Sequence, residues 1–278
     1  MSDKQTRKKV ALVTGASSGM GKAIAARLLG EGFKVYVAAR SVNNMQELVV
    51  AGAKPLRMDI SKDEDVVAAV NAILAADGGV DVLVNNAGFG LYGSVEDVPL
   101  DEARYQFEVN LFGLARLTQL LLPAMRERGA GRIVNITSMG GKIYTPLGAW
   151  YHATKHALEG WSDCLRLEVA PFGIDVVIVE PGIVRTGFGG VTGQLITRFS
   201  GGGAYEKLAR TVAKATAKTY AARSASEPKV VADVVVEALQ VRRPRTRYVV
   251  GSLARPLIVA RRWLGDRMFD RLIMSQVK

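Results

Sequence analysis

A short strand that runs straight into a glycine turn at the head of a helix constrains this chain more than any other feature. Val10–Thr14 is rich in β-formers, and Gly15-Ala16-Ser17-Ser18-Gly19-Met20-Gly21 follows without a break. Gly21–Gly30 then reads as a helix, with Ile24, Leu28 and Leu29 at helical spacing. Glycines in such a turn let the backbone take positive φ and approach a ligand closely. The helix start behind them offers free amides and a partial positive charge, the elements of a phosphate cradle. A plain tight turn is the alternative, and the position between strand and helix near the N-terminus argues for the cradle.

The rest of the chain repeats the alternation. Strands are predicted at Phe33–Ala39, Pro55–Met58, Val80–Asn85, Arg132–Thr137, Ile174–Glu180 and Arg247–Val250. Helices are predicted at Asp63–Ala76 with Ser61 as N-cap, Leu100–Arg128 interrupted at Gly113 and Pro123, Trp150–Ala170, Ala204–Ala222 and Pro228–Val241. Alternating strands and helices give βαβ units with right-handed crossovers. The expected fold is α/β, a single Rossmann-type doubly wound parallel sheet with helices on both faces. Half of the 278 residues are apolar, enough for one large core, and no linker or internal repeat divides the chain, so residues 1–278 are read as a single domain. Gly187–Gly203 is glycine-rich and reads as a mobile loop, part of a substrate lid over about 187–226. A basic C-terminal extension covers about 251–278.

In such a fold a ligand sits beyond the carboxyl ends of the strands. The second strand ends Ala38-Ala39-Arg40-Ser41, with no acid to accept from adenosine ribose hydroxyls. Arg40 would attract a 2′-phosphate and Ser41 could donate to it, so NADP(H) is expected over NAD(H). Tyr151 and Lys155 are four apart on a helix and share a face. A nearby ammonium favours phenolate, so Tyr151 could take a proton from an alcohol or give one to a ketone. Ser138 follows the fifth strand, thirteen residues before Tyr151, where its hydroxyl could stabilise negative charge on a substrate oxygen. Its segment is no nucleophile elbow of a hydrolase. Asn110 lies inside the long predicted helix, where asparagine is a poor helix former, and this invites a functional explanation.

These motifs, Thr14-Gly15-Ala16-Ser17-Ser18-Gly19-Met20-Gly21 and Tyr151-His152-Ala153-Thr154-Lys155, resemble those of the short-chain dehydrogenase/reductase family over about residues 10–190. The resemblance implies that Gly15, Ser17, Ser18, Gly19, Met20 and Gly21 hold the pyrophosphate of the cofactor. It implies that Asp59 accepts from the adenine amino group with Ile60 beside the ring, although Asp59 could equally cap the next helix. Asn85-Asn86-Ala87-Gly88 looks like the family's N-N-A-G segment, which would bring Asn86, Ala87 and Gly88 beside the adenosine ribose. Asn110 would complete a tetrad with Ser138, Tyr151 and Lys155 and hold a proton-relay water. Pro181-Gly182-Ile183-Val184-Arg185-Thr186 resembles the P-G-x-x-x-T segment, so backbone near Pro181, Gly182 and Val184 would meet the nicotinamide carboxamide, and Thr186 the phosphates. The tail resembles those of steroid- and retinol-dehydrogenase-like members. That implies an NADP(H)-dependent oxidoreductase acting on CH–OH groups, with a hydrophobic alcohol, aldehyde or ketone (steroid-, retinoid- or lipid-like) as substrate. Members are often homodimers or homotetramers built through the two long helices.

The net charge of +11 sits at the ends: +3 in residues 1–9, +8 in 241–278 and zero between. Basic ends can bind anionic surfaces, but simple solvation is favoured, and no nucleic-acid recognition motif is present. The tail, with Leu257, Ile258, Val259, Trp263, Leu264, Met268 and Phe269, could touch a membrane peripherally, or pack on the body or a neighbouring subunit. The single Cys164 and the pair His152 and His156 offer no metal-ligand pattern, and packing is favoured for both histidines. With no signal-peptide core after the polar start and no long apolar span, a cytoplasmic location is expected. Two other readings compete: a non-catalytic NADP(H)-binding regulator or scaffold, and a sugar-nucleotide epimerase, in which Ser18 would have to be glycine. Phe89, Tyr92, Tyr144, Leu147 and Trp150 are expected to shape the pocket without revealing its substrate.

Overall fold

A computed structural model describes residues 7–277, so Lys4 of the basic start and Lys278 lie outside the described residues. Seven parallel strands form one sheet: β1 (Val10–Thr14), β2 (Lys34–Ala39), β3 (Lys54–Arg57), β4 (Val82–Asn85), β5 (Gly131–Ile136), β6 (Ile174–Pro181) and β7 (Arg247–Val250). Their spatial order is β3-β2-β1-β4-β5-β6-β7, with every pairing parallel. The chain runs outward from β1 to β3, then crosses back to β4 on the other side of β1. That reversal opens a crevice at the carboxyl ends of β1 and β4.

Helices fill the connections: α1 (Gly19–Gly30), α2 (Gln46–Val50), α3 (Asp63–Asp77), α4 (Leu100–Phe107), α5 (Gly113–Arg128), α6 (Ala149–Val169), α7 (Phe188–Ser200), α8 (Glu206–Ala221), α9 (Lys229–Gln240) and α10 (Ala254–Ser275). Strand residues alternate between two cores, as the period of two requires. Ala11, Val13, Val35, Val37, Val177 and Val179 pack against Ile24 and Leu28 of α1 and Val231 and Val235 of α9. Val10, Leu12, Tyr36, Leu83 and Val176 face the other way, onto α3, α5 and α6 through Ile73, Leu117, Leu121 and Leu158. Both faces being covered explains why these strands are apolar at nearly every position.

Three local expectations need correction. Ser61 does not cap α3; Lys62 holds that position, and the Ser61 hydroxyl donates instead to Asp59 Oδ1 at 2.7 Å. The long helix predicted over 100–128 is interrupted next to Gly113 as expected, by a π turn at Glu108–Phe112 that contains Asn110, but not at Pro123, which α5 tolerates. Gly187–Gly203 is no open loop: residues 188–200 form α7, with Thr192, Ile196 and Ser200 buried at helical spacing. Packing against α8 overrides the poor helix propensity of its glycines. Gly189 even permits the contact, because a Cβ there would lie 2.6 Å from Tyr220 Cβ.

Candidate active site

The glycine turn has the geometry of an anion cradle. Gly15 and Gly19 take φ of +66° and +53°, and a Cβ on Gly21 would collide with the Gly15 carbonyl. Ser18 leads into α1 in an extended conformation without a side-chain cap, and the first turn holds no acid. The amides at this helix start therefore face outward with nothing negative beside them. Asn86 braces the turn from behind: its Nδ2 donates to the Thr14 carbonyl at 2.9 Å, while the Asn86 and Ala87 amides both donate to Thr14 Oγ1 at 3.0 Å. Met20 does not face the groove with its side chain, which packs against the core beneath.

From this turn a groove of 490 Å³ runs outward between Arg40, Ser41, Asp59, Ile60, Ala87 and Gly88. Arg40 is exposed at its mouth and donates to the Tyr105 hydroxyl at 3.4 Å. Asp59 Oδ1 accepts from the Ser61 amide and hydroxyl, so the side chain starts the turn toward α3 and still lines the groove. Across the cradle, the loop after β6 brings Thr186 close: its Cγ2 lies 3.1 Å from where a Gly19 Cβ would be. In that loop the Gly182 amide donates to the Val250 carbonyl and the Ile183 amide to Ser252, both at 2.8 Å. Of the three, only the Val184 amide has no protein partner among the described residues, although the Val184 side chain itself is buried in the core. Pro181 ends β6 and aims this loop.

The four polar residues singled out from the sequence converge beside the groove. Tyr151 and Lys155 lie on the first turns of α6, both nearly buried. Lys155 Nζ donates to the Ile136 carbonyl at 3.0 Å and not to Tyr151. Burial lowers its pKa to about 8, opposed by the charge of Glu159 one turn on. Burial raises the Tyr151 phenol to about 12, opposed by the Ser138 hydroxyl. Ser138 stands at the carboxyl end of β5, its Oγ accepting from the Gly140 amide at 2.9 Å. Asn110, fully buried in the π turn, clamps Phe89 with two hydrogen bonds and donates to Thr154 Oγ1 at 3.1 Å. A methyl group at Gly88 would lie 3.1 Å from Asn110 Oδ1 and 3.8 Å from Lys155 Nζ, so both side chains border that glycine.

On the far side of Tyr151 lies a second cavity of 380 Å³. Ile143, Ile183 and Val212 line it, with Leu257 and Ile273 of α10 as its roof. Among the described residues no Asp, Glu, Lys or Arg lines it. Tyr151 is framed by Tyr92 and Phe188, with ring centroids at 5.6 and 5.4 Å, and Tyr220 stacks behind Phe188 at 5.7 Å. Two non-glycine residues with positive φ, Leu147 and Leu253, flank this region.

Several residues here carried no signal in the sequence. His152, read there only as packing, borders the cavity and locks the loop that carries Ser138. Its Nδ1 bonds the Gly140 carbonyl at 2.9 Å and its Nε2 accepts from the Thr145 amide at 3.1 Å, which sets a neutral tautomer. Burial accordingly lowers its pKa to about 4. Behind the site, Glu159 and Glu180 are buried together with Lys142 and Arg247 at their edge. Burial and the neighbouring Glu159 raise Glu180 to about 7. These residues come from α6, β6, β7 and the Ser138 loop, so no local window of sequence could group them.

A family model described as short chain dehydrogenase matches residues 9–194. The chain is 39% identical to the probable short-chain type dehydrogenase/reductase VdlC of Helicobacter pylori, over 64% of this chain and 65% of that one. It is 32% identical to the 3-ketodihydrosphingosine reductase of Bacteroides thetaiotaomicron over 94% of this chain and 95% of that one. Among solved structures, a short-chain dehydrogenase from Streptomyces avermitilis superposes with a TM-score of 0.80 at 38% identity, covering 92% of both chains. An alcohol dehydrogenase from Thermococcus sibiricus complexed with 5-hydroxy-NADP reaches 0.72 at 27% identity, covering 89% of this chain and 98% of that one. A short-chain dehydrogenase/reductase from Burkholderia phymatum in complex with NAD reaches 0.77 at 26%, covering 91% of both.

Proposed function

The chain belongs to the short-chain dehydrogenase family, and from that premise we propose that it is an NADP(H)-dependent oxidoreductase that interconverts a hydrophobic alcohol and the matching ketone or aldehyde. One observation carries the reading. Ser138 and Tyr151 stand on the wall of an uncharged apolar cavity, and Lys155, one turn on from Tyr151, bonds the end of β5 with its Nζ close behind Gly88 of the neighbouring groove.

The residues present fit a dinucleotide. The uncapped start of α1 and the Gly15–Gly21 turn suit a pyrophosphate. Asp59, Ile60, Ala87 and Gly88 shape the adenosine end, Asn86 braces the turn behind them, and Arg40 and Ser41 suit a 2′-phosphate. The neighbours with bound cofactor include both NADP and NAD complexes, so the preference rests on Arg40 and the missing acid beside it. The Val184 amide and Thr186 suit the carboxamide and the phosphates. When bound, the nicotinamide supplies or takes the hydride. In reduction, Ser138 donates to the substrate oxygen and Tyr151 gives it a proton. The Lys155 ammonium stabilises the phenolate left behind until solvent returns a proton to Tyr151, and Asn110 holds the Phe89 segment in place next to this helix.

Absence of charge in the cavity favours a neutral, apolar substrate, since an unpaired buried charge would be strongly penalised. A sphingoid-type keto-lipid is the class that the Bacteroides relative's name suggests. Helices α7 and α8 act as the lid. Exposed Leu100 at the start of α4, Phe112 at the end of the π turn and Leu167 of α6 mark the faces through which a homodimer or homotetramer would form. The test is oxidation of NADPH, followed by absorbance, with steroid, retinoid, long-chain and small ketones. Wild-type turnover is expected on an apolar ketone, and Tyr151→Phe should be about 10²- to 10⁴-fold slower while still binding NADPH. Tight NADPH binding with no turnover on any ketone or alcohol would favour the regulator reading. No NADPH binding would remove the cradle argument itself.

A further inference from the structure

We propose that the outer face of α10 docks the enzyme on an anionic lipid bilayer, so that apolar substrate reaches the cavity from the membrane. The inference deepens the reading of the cavity as a site for apolar substrate and takes its purpose from it.

The helix is two-sided. It is kinked at Gly265, with φ +65° and ψ 171°, yet both halves turn one side to the same cavity: Leu257 from the first, Leu272 and Ile273 from the second. Phe269 is completely buried between them, against Tyr144 at 5.3 Å. The opposite side therefore points away from the body. In the first half it carries Val259, Arg262 and Trp263, at spacings of three and four, whereas Arg255 at the helix start lines a groove beside Glu237 and Tyr248. In the second half it carries Arg267, Met268, Arg271 and Met274.

Exposure of large apolar groups on this side is high: Trp263 is 76% exposed, Met268 55% and Val259 54%. A tryptophan left this open on a folded surface lacks its usual neighbours. The charges are arranged to match. The aspartates of the helix are engaged, Asp266 with Arg261 at 2.8 Å and Asp270 with the Tyr144 hydroxyl at 2.8 Å. Arg261 itself turns inward over the Tyr144 and Phe269 rings. Arg262, Arg267 and Arg271 make no ion pair among the described residues. Free arginines interleaved with tryptophan, methionine and valine are the pattern of a helix lying in a bilayer interface. A second copy of the same face would set these arginines against their equivalents, which is repulsive. A nucleic acid would leave the interleaved apolar side chains without a partner. The helix that meets the lipid is also the roof of the cavity, which gives an apolar molecule a route that avoids water.

The full-length protein should be mixed with vesicles of phosphatidylcholine alone and of phosphatidylcholine with phosphatidylglycerol, and binding read by flotation and by tryptophan emission. Binding to the anionic vesicles is expected, with a blue shift that Trp263→Phe removes. Arg262→Glu with Arg267→Glu should weaken binding about tenfold or more, as should raised salt. Turnover of a small water-soluble ketone by these variants should match the wild type, because none of the three side chains reaches the cavity. Equal binding by wild type and the double variant would overturn the proposal, as would no wild-type binding. Light scattering that showed this face closing a dimer, dissociated by the same variants, would overturn it too. Because flotation needs no catalysis, a failed ketone assay with intact vesicle binding would count against the oxidoreductase reading alone.

Discussion

At the residue scale, the site turns on how burial sets the protonation of two groups on one helix. Lys155 is held near 8 by burial, so its ammonium is present below that pH and is lost above it. Ketone reduction, which needs that charge to steady the Tyr151 phenolate, should fall as pH rises through about 8. Lys155→Arg should abolish that limb of the pH–rate profile even if its maximum rate is lower, because a guanidinium stays charged. A limb that persists in the arginine variant would assign it to another group. Arg40 gives a separate test. It is exposed and supports no core contact, so Arg40→Ala should leave stability unchanged. Its affinity for NADPH should drop about 10- to 100-fold and its affinity for NADH hardly at all. Titration of both nucleotides by fluorescence reads the difference, and an equal loss for both would sink the 2′-phosphate assignment.

At the element scale, two segments show tertiary contacts deciding what local preference left open. The π turn at Glu108–Phe112 lets the buried Asn110 side chain clamp Phe89, and an interruption there is what a poor helix former in a long helix foreshadows. Helix α7 could not be foreseen, because its burial depends on α8 and on Tyr220, far along the chain. The buried carboxylates at the junction of α6, β6 and β7 carry a pH consequence. Glu180 is raised to about 7, above its ordinary value of 4.5, so the fold favours its protonated form. Its penalty is absent below about pH 4.5, grows through 7 and is full above, so stability should fall as pH rises across that window. Glu180→Gln, which cannot ionise, should show a smaller drop in Tm between about pH 5 and about pH 8 than the wild type. The same drop in both would place the titration elsewhere.

At the scale of the whole molecule, two groups of exposed apolar side chains lie on separate elements. Leu100, Phe112 and Leu167 lie on α4, the π turn and α6, whereas Val259, Trp263 and Met268 lie on α10. If the protein self-associates through the first group, as proposed, Phe112→Glu should reduce the mass seen by light scattering without weakening NADPH binding. An unchanged mass in an oligomeric wild type would move the interface elsewhere. The two assignments are independent, since the α10 substitutions should leave the mass unchanged.

The alternation of strands and helices, the glycine turn and the residue types at the carboxyl ends of β1, β2, β5 and β6 are local properties, and local spacing is enough to determine them. Backbone sterics demand glycine in the Gly15–Gly21 turn, and the four-residue helical repeat puts Tyr151 and Lys155 on one face wherever the helix lies. The order of strands, the neutral His152 latch, the Glu159–Glu180 cluster, the helical lid and the roof made by α10 each join residues far apart in the chain. Burial and long-range packing create those arrangements, and neither is encoded in any single window of sequence.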